Sequence, residues 1–159
     1  MNENRFLSMI EAHQGIIYKI SKMYRDDPGD QEDLFQDIVY QLWKSISSFK
    51  EDSKESTWIY KVALNTALAS FRKRKVEINY TEDKHSLDHI EEESTSENQE
   101  RLFSALRKLE KSDRALISLF LEGYSYKEIG EITGISVTYV GVRLNRIKTR
   151  LKEILLIKV

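Results

Sequence analysis

Two groups of residues in this 159-residue chain have types and spacings suited to chemistry on nucleic acids. The first is Trp58, Lys61, Asn65, Arg72 and Arg74. An aromatic ring and an amide set among cations suit unstacked bases and backbone phosphates. The same residues also fit a plainer arrangement, in which Trp58 lies in the core and the cations are simply solvated. The second group is Ser136, Thr138, Tyr139, Arg143, Arg146, Lys148 and Arg150. Here polar side chains stand where a helix would begin, and cations recur further along it. The leading residues of such a helix reach base edges and the trailing cations meet phosphates. A third set, Asp33, Gln36 and Asp37, forms an acidic and polar face. It fits a protein-docking surface and, equally, a first helical turn that complements the helix dipole.

Catalytic chemistry finds little support. The three histidines are His13, His85 and His89. His13 falls on an apolar stripe and the others lie in a polar stretch, so satisfied or solvated imidazoles are expected rather than bases or ligands. With no cysteine there is no disulfide, thiolate zinc site or cysteine nucleophile. No metal site, cofactor-type glycine loop or small-molecule substrate site is evident, and none is expected.

The elements that must position these groups are helices. Proline occurs once, glycine six times, and strand-like alternation is hard to find. A first helix is expected over 4–25, with Phe6, Ile10, His13, Ile17, Ile20 and Tyr24 as one stripe. Pro28-Gly29 ends it, and Asp30 is a suitable N-cap for the next helix. That helix runs to about Ser48, with Leu34, Phe35, Ile38, Val39, Leu42, Trp43, Ile46 and Phe49 as a broad buried face. After a polar stretch from Lys50 to Ser56, a third helix starts near Thr57 and ends in Arg72-Lys73-Arg74-Lys75.

The composition then shifts. From Val76 to Glu100 the chain is rich in Glu, Asp, Ser, Thr and Asn, with Glu91-Glu92-Glu93 in its middle. This reads as a solvated linker. Its acids cancel the flanking basic segments and explain a net charge of only -1. Helical pattern resumes at Arg101, where Leu102, Leu106 and Leu109 mark one face. Ser112 or Asp113 can cap a short helix ended by Gly123. The expected organisation is therefore all-α, with domains at 1–75 and 101–159 joined by a linker at 76–100.

The densest local signal follows Tyr124. Ser125-Tyr126-Lys127-Glu128 has the form of a capping box. Thr133-Gly134 supplies a turn, and Ser136 can cap the next helix. Ile129, Ile132, Ile135, Val140, Leu144, Ile147 and Leu151 are spaced to pack two helices together. Thr138, Tyr139, Val142, Arg143, Arg146 and Arg150 are left facing outward or at the rim. A short helix, a glycine turn and a longer basic helix make a helix-turn-helix, whose second helix enters the major groove.

These residues resemble a known pattern. Asp33-Leu34-Phe35-Gln36-Asp37, Phe49, and Thr57-Trp58-Ile59-Tyr60-Lys61-Val62-Ala63-Leu64-Asn65 look like region 2 of extracytoplasmic-function (ECF) sigma factors of bacterial RNA polymerase. Gly123 to Ile129, Gly134 to Val137, Val140 and Arg143-Leu144 look like region 4 of the same family. The resemblance implies an alternative sigma factor without catalytic activity, which binds core RNA polymerase and promoter DNA. It implies that Asp33, Gln36 and Asp37 dock the polymerase clamp. It implies that the loop from Lys50 through Ser53 to Ser56 holds a flipped base, and that Asn65 and Arg72 meet the -10 element. Thr138, Tyr139, Arg143 and Arg146 match the positions facing the -35 duplex. An anti-sigma partner is common in the family.

Two departures bear on specificity. Ala69 stands where many relatives carry Asp, and Gly141-Val142 stand where many carry Lys and Ser, so a promoter sequence does not transfer from relatives. Two other classes of function remain as contrasts: a dimeric operator-binding regulator, which the long acidic tether disfavours, and an enzyme. No apolar run approaches a membrane span. The first residues lead into an amphipathic segment rather than a signal-peptide core. The expected location is the bacterial cytoplasm.

Overall fold

A computed structural model describes residues 2–50, 54–77 and 96–156, with side chains through residue 72 in the second of these stretches. All regular structure among the described residues is helical. The chain divides into two compact units, one carrying the first three α-helices and one the last four.

In the first unit, α1 is Glu3–Tyr24, α2 is Pro28–Lys44 and α3 is Glu55–Glu77. Asn2 caps α1, its side chain accepting the Arg5 amide at 2.8 Å. Each of the three helices packs on the other two. Ile17, Ile20, Met23, Leu34, Ile38, Leu42 and Ile59 are fully enclosed at the centre. Burying each such side chain stabilises the bundle by about 1.5–3 kcal/mol before entropy is counted. The buried Arg25 ties the α1–α2 turn to α3. Its guanidinium donates to Ser70 and lies 4.7 Å from the Phe71 ring centroid. Its carbonyl accepts from the Gln31 side chain at 2.9 Å.

Several sequence expectations shift. The N-cap of α2 is Asp27, not Asp30; the Asp27 carboxylate accepts the Asp30 amide at 3.3 Å. The reason is Pro28, which has no N–H to leave unsatisfied and so favours the first helical position. The helix ends at Lys44, and a single 3₁₀ turn, Ile46–Ser48, replaces its expected last turn. Trp43, placed with the buried face, is 42% exposed. The strictly buried line is Leu34, Ile38 and Leu42, and Trp43 lies to one side of it with its ring 4.9 Å from that of Phe6. His13 is half-buried at a kink in α1 (φ -119, ψ 15), with Nε2 3.2 Å from Glu55 Oε2. It joins the middle of α1 to the start of α3.

In the second unit, α4 is Glu97–Arg107, α5 is Lys111–Leu121, α6 is Tyr126–Thr133 and α7 is Val137–Leu156. The expected linker at 76–100 is shorter at both ends, because α3 reaches Glu77 and α4 begins at Glu97. Acids read as linker are partly the first turn of α4. Ser96 and Gln99 form a capping box there, and Glu97 and Glu100 complement the dipole. The remainder of that segment, including Glu91-Glu92-Glu93, His85 and His89, lies outside the described residues. Glu110, rather than Ser112 or Asp113, occupies the N-cap of α5, without a side-chain cap bond. Arg114 closes the α4–α5 turn by donating to the carbonyls of Arg107 (2.7 Å) and Leu109 (2.9 Å). Helix α7 packs on α4, α5 and α6.

Candidate nucleic-acid interface

The helix-turn-helix is built locally and then fixed by packing. Ser125 Oγ accepts the Glu128 amide at 3.1 Å, and the Glu128 carboxylate accepts the Ser125 amide at 3.0 Å. Reciprocal capping satisfies two amides that a short helix would otherwise leave bare. At the other end Gly134 adopts φ 80, ψ 12, and its amide donates to the Gly130 carbonyl at 2.8 Å. The left-handed conformation suits glycine because it has no Cβ to clash. Gly130 has a different reason: a Cβ there would stand 2.7 Å from the Ile135 carbonyl oxygen. The chain leaving the turn thus runs directly over α6. Ser136 accepts the Tyr139 amide at 3.2 Å and starts α7.

Helix α7 sorts its residues by face. Val140, Leu144, Ile147, Leu151 and Ile154 are buried. At 3.6 residues per turn, Thr138, Val142, Asn145 and Thr149 form the opposite line, and all four are exposed. Tyr139, Arg143, Arg146 and Arg150 stand on one shoulder of that line, with Gly141 and Lys148 on the other. Arg146 is exposed; Arg150 is also exposed and lies 3.9 Å from Glu153. Such a surface pair is worth little and leaves the cation available.

Two of the expected -35 residues are engaged within the unit. Arg143 donates to Asp113 and, at 3.0 Å, to Ser112 Oγ, and its guanidinium lies 5.7 Å from the Tyr139 ring centroid. It ties the recognition helix to the start of α5. Lys148 Nζ sits 3.9 Å from the Phe120 ring centroid and 3.3 Å from Tyr126 Oη. Gly141 faces the same Tyr126 ring, where a Cβ would meet it at 3.5 Å. The remaining expected residues, Ser136, Thr138, Tyr139, Arg146 and Arg150, are all exposed.

In the first unit Lys61, Asn65, Ala69 and Arg72 share one exposed stripe of α3. Trp58 is half-buried, its ring 5.0 Å from that of Phe49, so it anchors the start of α3 while remaining partly accessible. Lys50 is exposed at the end of the preceding segment. Ser53 and the side chain of Arg74 lie outside the described residues. Asp33, Gln36 and Asp37 are exposed together on α2, and Tyr40 continues the same stripe at 60% exposure.

Sequence reasoning did not single out Asn145, Gly130, Tyr40 or the Asp113–Arg143 pair. Asn145 was within reach, since its position follows from the period that places Val140, Leu144 and Ile147 inside. The pairing joins residues far apart in the chain and leaves no local signal. Among the described residues, no group of His, Cys, Asp or Glu is arranged to hold a metal ion. No helix among the described residues is long and apolar enough to cross a membrane.

The family pattern for sigma-70 region 2 matches residues 9–77, and that for sigma-70 region 4 matches residues 99–151. The ECF RNA polymerase sigma-E factor of Haemophilus influenzae is 31% identical over 139 residues, covering 78% of this chain and 74% of that protein. The chain belongs to the ECF RNA polymerase sigma-factor family. It is an alternative sigma factor that directs transcription initiation with RNA polymerase. Further similarity extends to the ECF sigma factor SigW of Bacillus subtilis, 25% identical over 96% of this chain and 89% of that protein. In fold the sigma factor resembles RpoE of Bartonella quintana, solved with the anti-sigma factor NepR. That match has a TM-score of 0.72 and 22% identity, and covers 99% of this chain and 98% of RpoE. CnrH, solved with the cytosolic domain of CnrY, gives a TM-score of 0.69 at 21% identity over 97% of this chain and 89% of CnrH.

Proposed function

We propose that this sigma factor divides promoter recognition between its two units. The unit at 1–75 docks core polymerase through Asp33, Gln36 and Asp37. It captures the opened -10 strand with Lys50, Ser53, Trp58, Lys61, Asn65, Arg72 and Arg74. The second unit reads the -35 duplex with α7, using Ser136, Thr138, Tyr139, Arg146 and Arg150, while Arg143 and Lys148, engaged by Asp113, Ser112, Phe120 and Tyr126, flank that surface and hold α7 in place. The segment between α3 and α4 tethers them. The observation carrying this reading is the sorting of α7: a buried apolar face, an opposite neutral line, and arginines on the shoulder. A helix inserted in a groove needs that arrangement, with base-reading groups central and phosphate-binding groups at the margins.

The mechanism is binding, not bond-making. Unstacking a base costs a few kcal/mol, and aromatic contacts can return about 1–3 kcal/mol per base. Trp58, partly accessible and on the same face of α3 as the exposed Lys61 and Asn65, supports such capture. Tethering raises the effective concentration of the second contact, so neither unit need bind tightly alone. The nucleotide chemistry is the polymerase's, and this chain is not itself an enzyme. It acts in the bacterial cytoplasm, where core polymerase is. Its structural relatives were solved with the anti-sigma factor NepR and with CnrY, which supports a protein inhibitor for this chain too.

The test is run-off transcription with purified core polymerase and the full chain over a promoter library. Discrete start sites that depend on both elements are expected. Failure to join core polymerase, or joining without directed initiation, would overturn the reading. A stable dimer binding duplex tightly without polymerase would indicate an operator-binding regulator instead.

A further inference from the structure

We infer that Val142 is a specificity-determining residue that reads the C5-methyl group of a thymine in the -35 element. The inference rests on the assignment of α7 to the -35 duplex and adds the base class that α7 selects. Val142 lies in the second turn of α7, on the line opposite the buried Val140 and Leu144. It is 48% exposed. An exposed β-branched side chain at the centre of a groove-facing line gains nothing from water. Against a thymine methyl it gains an apolar contact of the kind by which side chains identify that base.

The neighbouring positions support the same reading. Thr138 precedes Val142 by one turn and offers its own methyl group. Asn145 follows it on the same line, with the amide geometry that pairs with adenine N6 and N7. The line Thr138–Val142–Asn145–Thr149 carries no cation. Guanine is most often read by Arg or Lys through O6 and N7. Here Arg143 is held by Asp113 and Ser112, and Arg146 stands exposed on the shoulder, off the central line. Lys148 is drawn to the opposite side by Phe120 and Tyr126. Gly141 adds no side chain that could displace Val142 from the groove. The centre of the recognition helix is therefore built for A·T pairs, with a methyl contact at Val142.

The experiment uses holoenzyme assembled from core polymerase and the full chain. A promoter library randomised over the -35 element first gives the preferred sequence. Each thymine of that element is then replaced by deoxyuridine, which lacks only the methyl group. Loss of one buried methyl predicts that initiation falls about fourfold at one thymine position. Val142→Ala holoenzyme should start from a similarly reduced level and show no further loss at that position. Circular dichroism of the variant should match the parent, since Val142 lies on the exposed face of α7 and outside the buried core of the unit. Selection of G·C at the Val142-facing position would overturn the inference, as would equal deoxyuridine sensitivity in parent and variant. If instead a scrambled -35 element or Arg146→Gln leaves initiation unchanged, it is the assignment of α7 to the -35 duplex that fails.

Discussion

Replacing Gly134 with alanine isolates the conformational demand of the helix-turn-helix. An alanine Cβ at this position would find no atom within 4 Å, so no steric clash with neighbours enters. What remains is backbone: Gly134 holds φ 80, ψ 12. A residue with a Cβ gives up about 1–2 kcal/mol in that region. Alanine recovers part of this, about 0.4–1 kcal/mol, by restricting the unfolded chain. The net expectation is a loss of about 1 kcal/mol, confined to the second unit. For a unit of this size that lowers the melting midpoint by about 4–8 °C. Both tryptophans, Trp43 and Trp58, lie in the first unit. Tryptophan fluorescence therefore follows the first unit, while far-UV circular dichroism follows both. In Gly134→Ala the dichroism transition should acquire an earlier component that fluorescence does not follow. Gly134→Asn should lose less, because asparagine tolerates left-handed backbone better than alanine. An unshifted dichroism transition in Gly134→Ala would refute the reasoning, as would an equal loss in Gly134→Asn.

Gly15 is the counter-case: it is exposed inside α1, with no atom within 4 Å of a built Cβ and no left-handed backbone. Gly15→Ala should raise the fluorescence midpoint, corresponding to about 0.5–1 kcal/mol; a decrease would mean that the kink at His13 needs the glycine. Asp113→Asn removes the charge that holds Arg143. Since the two side chains are 23% and 18% exposed, it should cost the second unit about 1 kcal/mol after allowance for screening, read from the dichroism transition. Arg146→Gln should weaken holoenzyme binding to promoters of differing -35 sequence alike and flatten the dependence of log affinity on log salt by about one. A sequence-dependent loss would move Arg146 from phosphate contact to base reading.

The sequence by itself determined the helices and their local grammar. The 3.6-residue period laid out the buried faces of α1, α2 and α7. The Ser125–Glu128 box, the Gly134 turn and the Ser136 cap are contacts within a few residues, so composition and spacing are enough to specify them. The same locality explains why most exposed site positions were legible: once Val140, Leu144 and Ile147 are inside, Thr138 and Arg146 must be outside. Local reading erred where two signals competed. At Asp27 and Asp30 either acid could cap α2, and the missing amide of Pro28 decided between them. Around Glu97 acidic composition suggested linker, yet the same acids favour a helix N-terminus.

Only tertiary structure decided which exposed groups are available. Arg143 and Lys148 look equivalent in sequence, basic residues on an amphipathic helix. Packing of α5 brings Asp113 and Ser112 to the first, and Phe120 to the second, while Tyr126 of α6 also meets Lys148. Arg146 and Arg150 stay open to solvent. In the first unit, the packing of α1, α2 and α3 left Trp43 partly exposed and drew His13 to Glu55. These pairings join segments distant in the chain. Their energy depends on how helices are rotated against one another, and a one-dimensional period does not encode that rotation.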